Sequence, residues 1–323
     1  MAILVTGAAG FIGSHVARAL LDRGEKVIGL DDLNDYYDVN LKKARLARLQ
    51  GNRDFTFRQH DIADMDAVYA LYDAHPDIAG IVHLAAQAGV RYSLINPYAY
   101  IRTNMLGHTT MIEGARRLKD LKHFVYASSS SVYGSNETLP FSVDDRVEMP
   151  NSLYAATKRA DELVSYTYAH LYKIPQTGLR FFTVYGPWGR PDMAAYIFAS
   201  KIVAGEPIDV FNGGEMWRDF TYIDDIVSGI LAALDHPPAM AVPHRVYNLG
   251  NHRSEKLTDF IGHIEKALGK RAIIQFKPLQ MGDVPSTYAD IAASQRDLGF
   301  EPKTSIAEGI PRFIAWYREY HKL

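Results

Sequence analysis

Short apolar, β-branched runs alternate with longer stretches whose apolar positions recur every three or four residues, and this rhythm restricts the fold more than any other feature. The runs lie at residues 3–5, 27–30, 55–57, 81–84, 124–127 and 177–181, and helical patterns over 104–118 and 154–172 are plain among the segments between them. Strands apolar on both faces, separated by segments long enough for crossover helices, predict a parallel sheet covered on both sides. The expected class is therefore α/β, a Rossmann-type doubly wound parallel sheet. After residue 180 glycines and prolines break the chain into shorter pieces, while strand and helix patterns continue at 208–211, 246–249, 257–268 and 306–317. This predicts one domain over 1–180 and a smaller α/β domain over 181–323, with some segments of the second returning to the first.

Composition removes several function classes. The 323 residues include no cysteine, which excludes disulfides, thiolate nucleophiles and thiolate metal sites. No pair of histidines stands at metal-ligand spacing beside an acid, so no metal is expected, and His83 is read as a packed, hydrogen-bonded core group. Lys and Arg number 35 against 37 Asp and Glu, and without a dense basic run no nucleic-acid partner is expected. No uncharged apolar stretch reaches the roughly 18 residues that cross a bilayer, and residues 2–7 carry no basic flank, so no membrane association and a cytoplasmic location are expected.

The first strand runs into 6–13 (TGAAGFIG) with a helix expected directly over 14–22. A strand-to-helix turn needs a residue without Cβ where φ is positive, another where a pyrophosphate nears the backbone, and a third where helix meets strand. Gly7, Gly10 and Gly13 have that spacing, and Phe11 and Ile12 open the helix whose free N–H groups would face phosphates. Small residues also serve tight turns that bind nothing. Asp31, however, ends the second strand 18 residues past Gly13, where an acid accepts the ribose hydroxyls of an adenosine and repels a 2′-phosphate. The cofactor expected is NAD rather than NADP. Asp61 and Ile62, after the third strand, would flank the adenine, with a helix N-cap as the alternative role for Asp61.

Residues 154–158 (YAATK) place Tyr154 and Lys158 one turn apart on one helix face. A tyrosine serves as a general base near neutral pH when its phenolate is stabilised, and a neighbouring ammonium favours the charged form. The serine cluster in 127–134 (ASSSSVYG) falls where the fifth strand leaves the sheet, the edge at which open α/β sheets bind ligands. Serines there could instead cap turns.

With these strings the chain resembles the extended short-chain dehydrogenase/reductase family, and within it the sugar-nucleotide 4-epimerases of glucuronate type. The resemblance also rests on 34–38 (NDYYD), 83–92 (HLAAQAGVRY), 180–193 (RFFTVYGPWGRPDM) and 218–225 (RDFTYIDD). It implies Ser129, Tyr154 and Lys158 as the catalytic trio, and places Asn34, Leu84, Ala85, Ala86 and Asn104 at the cofactor beside the glycine loop, Asp31, Asp61 and Ile62. Related dehydratases and decarboxylases carry carboxylates where this chain has Ser130 and Ser131, which leaves simple epimerisation. For the substrate it implies Gln87 and Ser129 near the sugar, Ser130, Thr183 and Arg190 at a hexuronate carboxylate, Phe211 on uracil, and Arg218 and Asp283 at the diphosphate and ribose. Gln280 stands where neutral-sugar epimerases have a second diphosphate arginine. The implied reaction inverts C4 of UDP-glucuronate to UDP-galacturonate through a 4-keto sugar, the alternative being a UDP-glucose/UDP-galactose 4-epimerase. The implied assembly is a homodimer packed through the helices beginning near Asn104 and Tyr154.

Overall fold

The structure, a computed structural model, describes residues 1–280 and 282–323. β1 (Ala2–Thr6), β2 (Lys26–Asp31), β3 (Phe55–Gln59), β4 (Ile78–His83), β5 (His123–Ser129) and β6 (Gln176–Phe181) form one sheet with the strand His244–Leu249. All seven are parallel, in the order His244–Leu249, β6, β5, β4, β1, β2, β3. The doubly wound expectation is met, and the order reverses between β1 and β4, the topological position at which such sheets bind ligands.

Because strand side chains alternate between faces, the sheet divides the core in two. Val5, Val27, Val82 and Leu179 join the helices α1 (Phe11–Asp22) and α2 (Val39–Gln50) on one side. Leu4, Ile28, Ile81 and Phe124 pack with Val68 and Leu71 of α3 (Met65–Ala74) and with Met111 and Ile112 on the other. Full burial of each such side chain contributes about 1.5–3 kcal/mol, so both layers hold the sheet and fix where its strand ends emerge.

Three sequence expectations shift. Helix α1 starts at Phe11 rather than residue 14, because Gly13 already belongs to its first turn. β4 begins three residues earlier than its apolar run, through Ala79 and Gly80; a β-carbon on Gly80 would come within 2.8 Å of Ile3 Cδ1. The helix expected over 104–118 is a π-helical stretch, Ile101–Gly107, leading into His108–Ala115. Widened turns of this kind concentrate at functional sites, and here Asn104 turns inward to bond the backbone of Gln87.

Beyond β6, His244–Leu249 returns to the edge of the large sheet. Three two-stranded ribbons complete the remainder: Thr183–Tyr185 with Phe220–Tyr222, Pro207–Phe211 with Ile273–Lys277, and Trp217–Arg218 with Glu255–Lys256. Among the described residues no helix is long and apolar enough to cross a membrane, and no group of three His, Asp or Glu side chains could hold a metal.

Candidate active site

A cavity of about 1010 Å³ opens along the carboxyl ends of β1, β2, β4 and β5 and runs out between the ribbons of the C-terminal part. At its inner end the glycine loop is built by close contact. Gly7 has φ +70° and touches the chain after β4, where a β-carbon would come within 2.9 Å of the Ala85 nitrogen. A β-carbon on Gly13 would lie 2.0 Å from the Gly7 carbonyl oxygen. Sterics thus demand glycine at both ends of the loop. Gly10 precedes α1 with no side-chain cap, so the first N–H groups of that helix, at Phe11, Ile12 and Gly13, lie free at the cavity wall.

Asp31 is buried at the end of β2, where its two oxygens accept the Ala9 and Leu33 N–H groups at 3.0 and 2.9 Å. Each keeps a lone pair for a ligand hydroxyl. Burial pushes this carboxyl above its ordinary value despite both hydrogen bonds. An uncapped helix end, a side-chain-free turn and a buried acceptor one strand away fit NAD, and they disfavour a 2′-phosphate beside Asp31.

Leu84 and Ala85 are fixed by Thr6, whose hydroxyl accepts both of their N–H groups at 3.1 and 3.0 Å. Its one hydrogen is then free for His83 Nδ1 at 2.8 Å, which keeps that ring nitrogen unprotonated. His83 is thus a buried, bonded core group, and burial lowers it to about 3. Ala86 continues the same wall. Asn34 lines it too, with Lys42 donating to its side-chain oxygen at 3.0 Å.

Asp61 does not cap α3: Asp64 does, accepting from the Ala67 N–H, while Asp61 accepts from Ala63 and from the Arg102 guanidinium. Both Asp61 and Ile62 line the cavity. Asn104 does not. It is 1% exposed and its amide bonds the Gln87 N–H, the Gln87 carbonyl and Thr157 Oγ1, so it fixes the wall at Gln87 from behind.

The residues expected to carry the chemistry meet where β5 approaches the helix Leu153–Tyr172. Ser152 caps this helix at the Ala155 N–H, which sets Tyr154 and Lys158 at the cavity wall. Lys158 is buried and donates to the Ala127 carbonyl at 3.0 Å and to Asp161 Oδ2 at 3.1 Å, leaving one of its three N–H groups. Burial raises the Asp161 carboxyl, and Lys158 lowers it by less. Ser129 accepts the Ser131 N–H at 3.1 Å and its hydroxyl reaches Ser131 Oγ at 3.1 Å. It caps a short helical turn and faces the cavity at once.

Toward the mouth, Ser130, Gln87, Thr183 and Arg190 share the wall, and the Gln87 Nε2 amide is buried without a partner among the described residues. Arg190 is engaged by a residue of this chain: its Nε donates to Asp192 Oδ1 at 3.0 Å and its Nη2 to Asp192 Oδ2. Phe211, Arg218 and Asp283 meet at the outer end, where Arg218 Nη2 bonds Asp283 at 2.9 Å.

Three wall residues were assigned no role from sequence, although each lies in a quoted string. Tyr36 donates to Asp192 at 3.0 Å. Asp192 is the partner of Arg190. Arg91 stands with its guanidinium carbon 5.1 Å from the Phe211 ring centre and Nη2 4.0 Å from Asp283.

Residues 3–250 match the NAD dependent epimerase/dehydratase family. The chain is 47% identical over its whole length to Protein CapI of Staphylococcus aureus, and 46% identical over its whole length to the probable UDP-glucuronate 4-epimerase of Rhizobium meliloti, of which it covers 98%. Its structure is similar to that of UDP-glucuronic acid 4-epimerase from Bacillus cereus in complex with UDP-glucuronic acid and NAD, with TM-score 0.92, 34% identity and coverage of 99% of this chain and 100% of that one. The glycine loop, the acid after β2 and the Tyr-Lys helix therefore stand in a shared framework, and the chain belongs to the NAD dependent epimerase/dehydratase family.

Proposed function

We propose that this protein is an NAD-dependent isomerase that inverts C4 of UDP-glucuronate to give UDP-galacturonate. The observation that carries this reading is one continuous cavity joining an NAD-shaped loop, the Ser129, Tyr154 and Lys158 side chains, and Arg190. Tyr154, as phenolate, takes the proton of the sugar 4-hydroxyl, and Ser129 hydrogen-bonds the same oxygen. Bound NAD supplies the oxidising and then the reducing equivalent at C4. Lys158, fixed by Ala127 and Asp161, offers its remaining N–H toward the cofactor ribose. The 4-keto sugar turns about its diphosphate link and presents its other face, and Tyr154 returns the proton.

A 4-keto glucuronate is a β-keto acid that loses CO2 when its carboxylate bond aligns with the carbonyl π system. Arg190, Thr183 and Ser130 hold the carboxylate out of that alignment. Phe211 stacks on uracil, Arg218 bonds the diphosphate and Asp283 the ribose. Nuclear magnetic resonance of UDP-glucuronate incubated with the protein alone tests the reading: UDP-galacturonate should accumulate without added cofactor, and an unchanged spectrum with NAD supplied as well rejects it.

The Arg190–Asp192 pairing favours a second reading, because a guanidinium already neutralised suits an uncharged sugar. Parallel incubations with UDP-glucose and UDP-glucuronate decide between them. We also infer a cytoplasmic homodimer. Leu94, Ile95, Tyr98, Ile101 and Leu106 on the segment 92–107, with Leu163 and Tyr166 on the helix Leu153–Tyr172, expose an apolar surface of the kind that paired helices cover. A monomeric mass in light scattering counts against it.

A further inference from the structure

Arginine carries five N–H groups, one on Nε and two on each terminal nitrogen, so it can offer a side-on fork and an end-on fork in the same plane. At Arg190 the side-on fork is taken: Nε and one Nη2 hydrogen go to the two oxygens of Asp192. Nη1 has no partner among the described residues, and with the second Nη2 hydrogen it makes an end-on fork at the cavity wall. Asp192 is itself held, since Tyr36 donates its hydroxyl to Oδ2 at 3.0 Å.

Gly89 closes the trio from the opposite loop. It has φ +101°, and a β-carbon there would come within 3.1 Å of Tyr36 Oη and 3.7 Å of both Arg190 Nη2 and Asp192 Oδ2. Burial alone would raise the Asp192 carboxyl, yet the charge and hydrogen bonds of Arg190 outweigh it and hold the group below its ordinary value. The same surroundings push the Tyr36 phenol up to about 12, first by burial and then by the Asp192 charge, so it remains a hydrogen donor.

We propose that Asp192 is a positioning residue that grips the side-on fork of Arg190 and so presents its end-on fork to the carboxylate of a hexuronate. This deepens the UDP-glucuronate reading and rests on it. An unpaired guanidinium on this partly buried wall would be costly before substrate arrives; the pair removes that cost and fixes the fork's plane in advance. The substrate carboxylate then meets an oriented but neutralised arginine, with Thr183 and Ser130 supplying further donors.

The test is a double-mutant cycle read as KM for UDP-glucuronate, with UDP affinity measured on every variant as a control for a folded site. Asp192→Ala should raise KM about tenfold and leave UDP affinity unchanged, whereas the same change made in an Arg190→Ala background should alter KM by less than about twofold. A merely structural role would repeat its effect in both backgrounds, and that result overturns the proposal. So does an unchanged or lowered KM, the latter meaning that Asp192 competes for the fork. Should Asp192→Ala fail to fold, Tyr36→Phe removes only the hydroxyl donated to Asp192, and a rise of about threefold that vanishes without Arg190 is expected; an equal rise in both backgrounds is again fatal. Wild-type protein that leaves UDP-glucuronate unchanged sinks the functional reading instead, an outcome distinct because failure at Asp192 leaves wild-type turnover intact.

Discussion

Arg45 donates to the Trp188 carbonyl from two nitrogens, Nε at 3.0 Å and Nη2 at 2.7 Å, although 143 positions separate the two residues in the chain. The same guanidinium reaches the Ala9 carbonyl inside the glycine loop, the Gly189 carbonyl, and the Tyr37 hydroxyl at 2.6 Å, and Arg45 is 0% exposed. It ties the cofactor loop to the loop carrying Arg190, and it sustains Trp188 at φ +64°, a conformation non-glycine residues adopt at a cost.

Replacement by Arg45→Met should therefore act twice. Several buried acceptors lose their donor, and at about 1–3 kcal/mol each the unfolding free energy should fall by roughly 3 kcal/mol or more. The Arg190 loop should also loosen, raising KM for UDP-glucuronate. Urea denaturation with steady-state kinetics on the same preparation checks both, and a variant as stable as wild type refutes the first.

Tyr154→Phe removes the hydroxyl proposed as the base and leaves the ring packed edge-on to Tyr100 at 6.0 Å. Loss of a positioned general base costs about 10²- to 10⁴-fold, so kcat should fall in that range with little change in UDP affinity. Transient absorbance of reduced nicotinamide during turnover should vanish as well; a normal transient would show that another group takes the proton.

Stability should fall as the solution is acidified below neutrality. His83 and His123 are buried, and burial lowers them to about 3 and about 4, while burial drives His108 down in the same direction. The unfolded chain binds protons on all three below about pH 6.5, where the folded chain does not, so each favours unfolding increasingly as pH drops from there toward 4. At pH 5 His83 and His123 should each cost on the order of 2 kcal/mol. Asp161 and Asp219, raised by burial to about 7 and about 6, work in the opposite sense with Asp31 and Asp224, which burial also raises, because the folded state keeps their protons longer; His15 and His244, lowered by burial to about 4, add to the histidine side. Urea midpoints at pH 7.5 and 5.0 test the balance, and equal midpoints contradict it.

Arg91 should prove a nucleotide-binding residue. It lies over Phe211 and beside Asp283, on the cavity wall that also carries the uncharged Gln280. Arg91→Ala should weaken UDP binding about tenfold, and Arg91→Lys should restore part of it, since the charge returns but the planar stack does not. Titration calorimetry with UDP measures this directly, and equal affinity in all three proteins would exclude Arg91 from the site.

Local signals made much of this chain legible. The glycine loop, Asp31 and the Tyr154–Lys158 pair are read within one strand, one turn or one helix, where backbone periodicity fixes which side chains meet. The ribbons at 183–185, 217–218 and 220–222 were missed because two or three residues are too few to show a period, and 273–277 because its exposed residues lack alternation. Asn104 was expected at the cofactor; it lies buried in the π-helical stretch, where Gln87 and Thr157, both distant in sequence, take up its amide.

By itself the sequence determined the strand and helix rhythm of the sheet, the cofactor-shaped turn and the Tyr154–Lys158 pair, because each depends on spacing within a single segment. Only the tertiary structure decided that Arg190 is already paired, that Arg45 welds two loops together, and that Arg91 stands between Phe211 and Asp283. Those contacts join residues far apart in the chain, such as Tyr36 to Asp192 across 156 positions, and no local propensity encodes them. They arise when two packed layers bring the loops together and buried charges settle on the partners within reach.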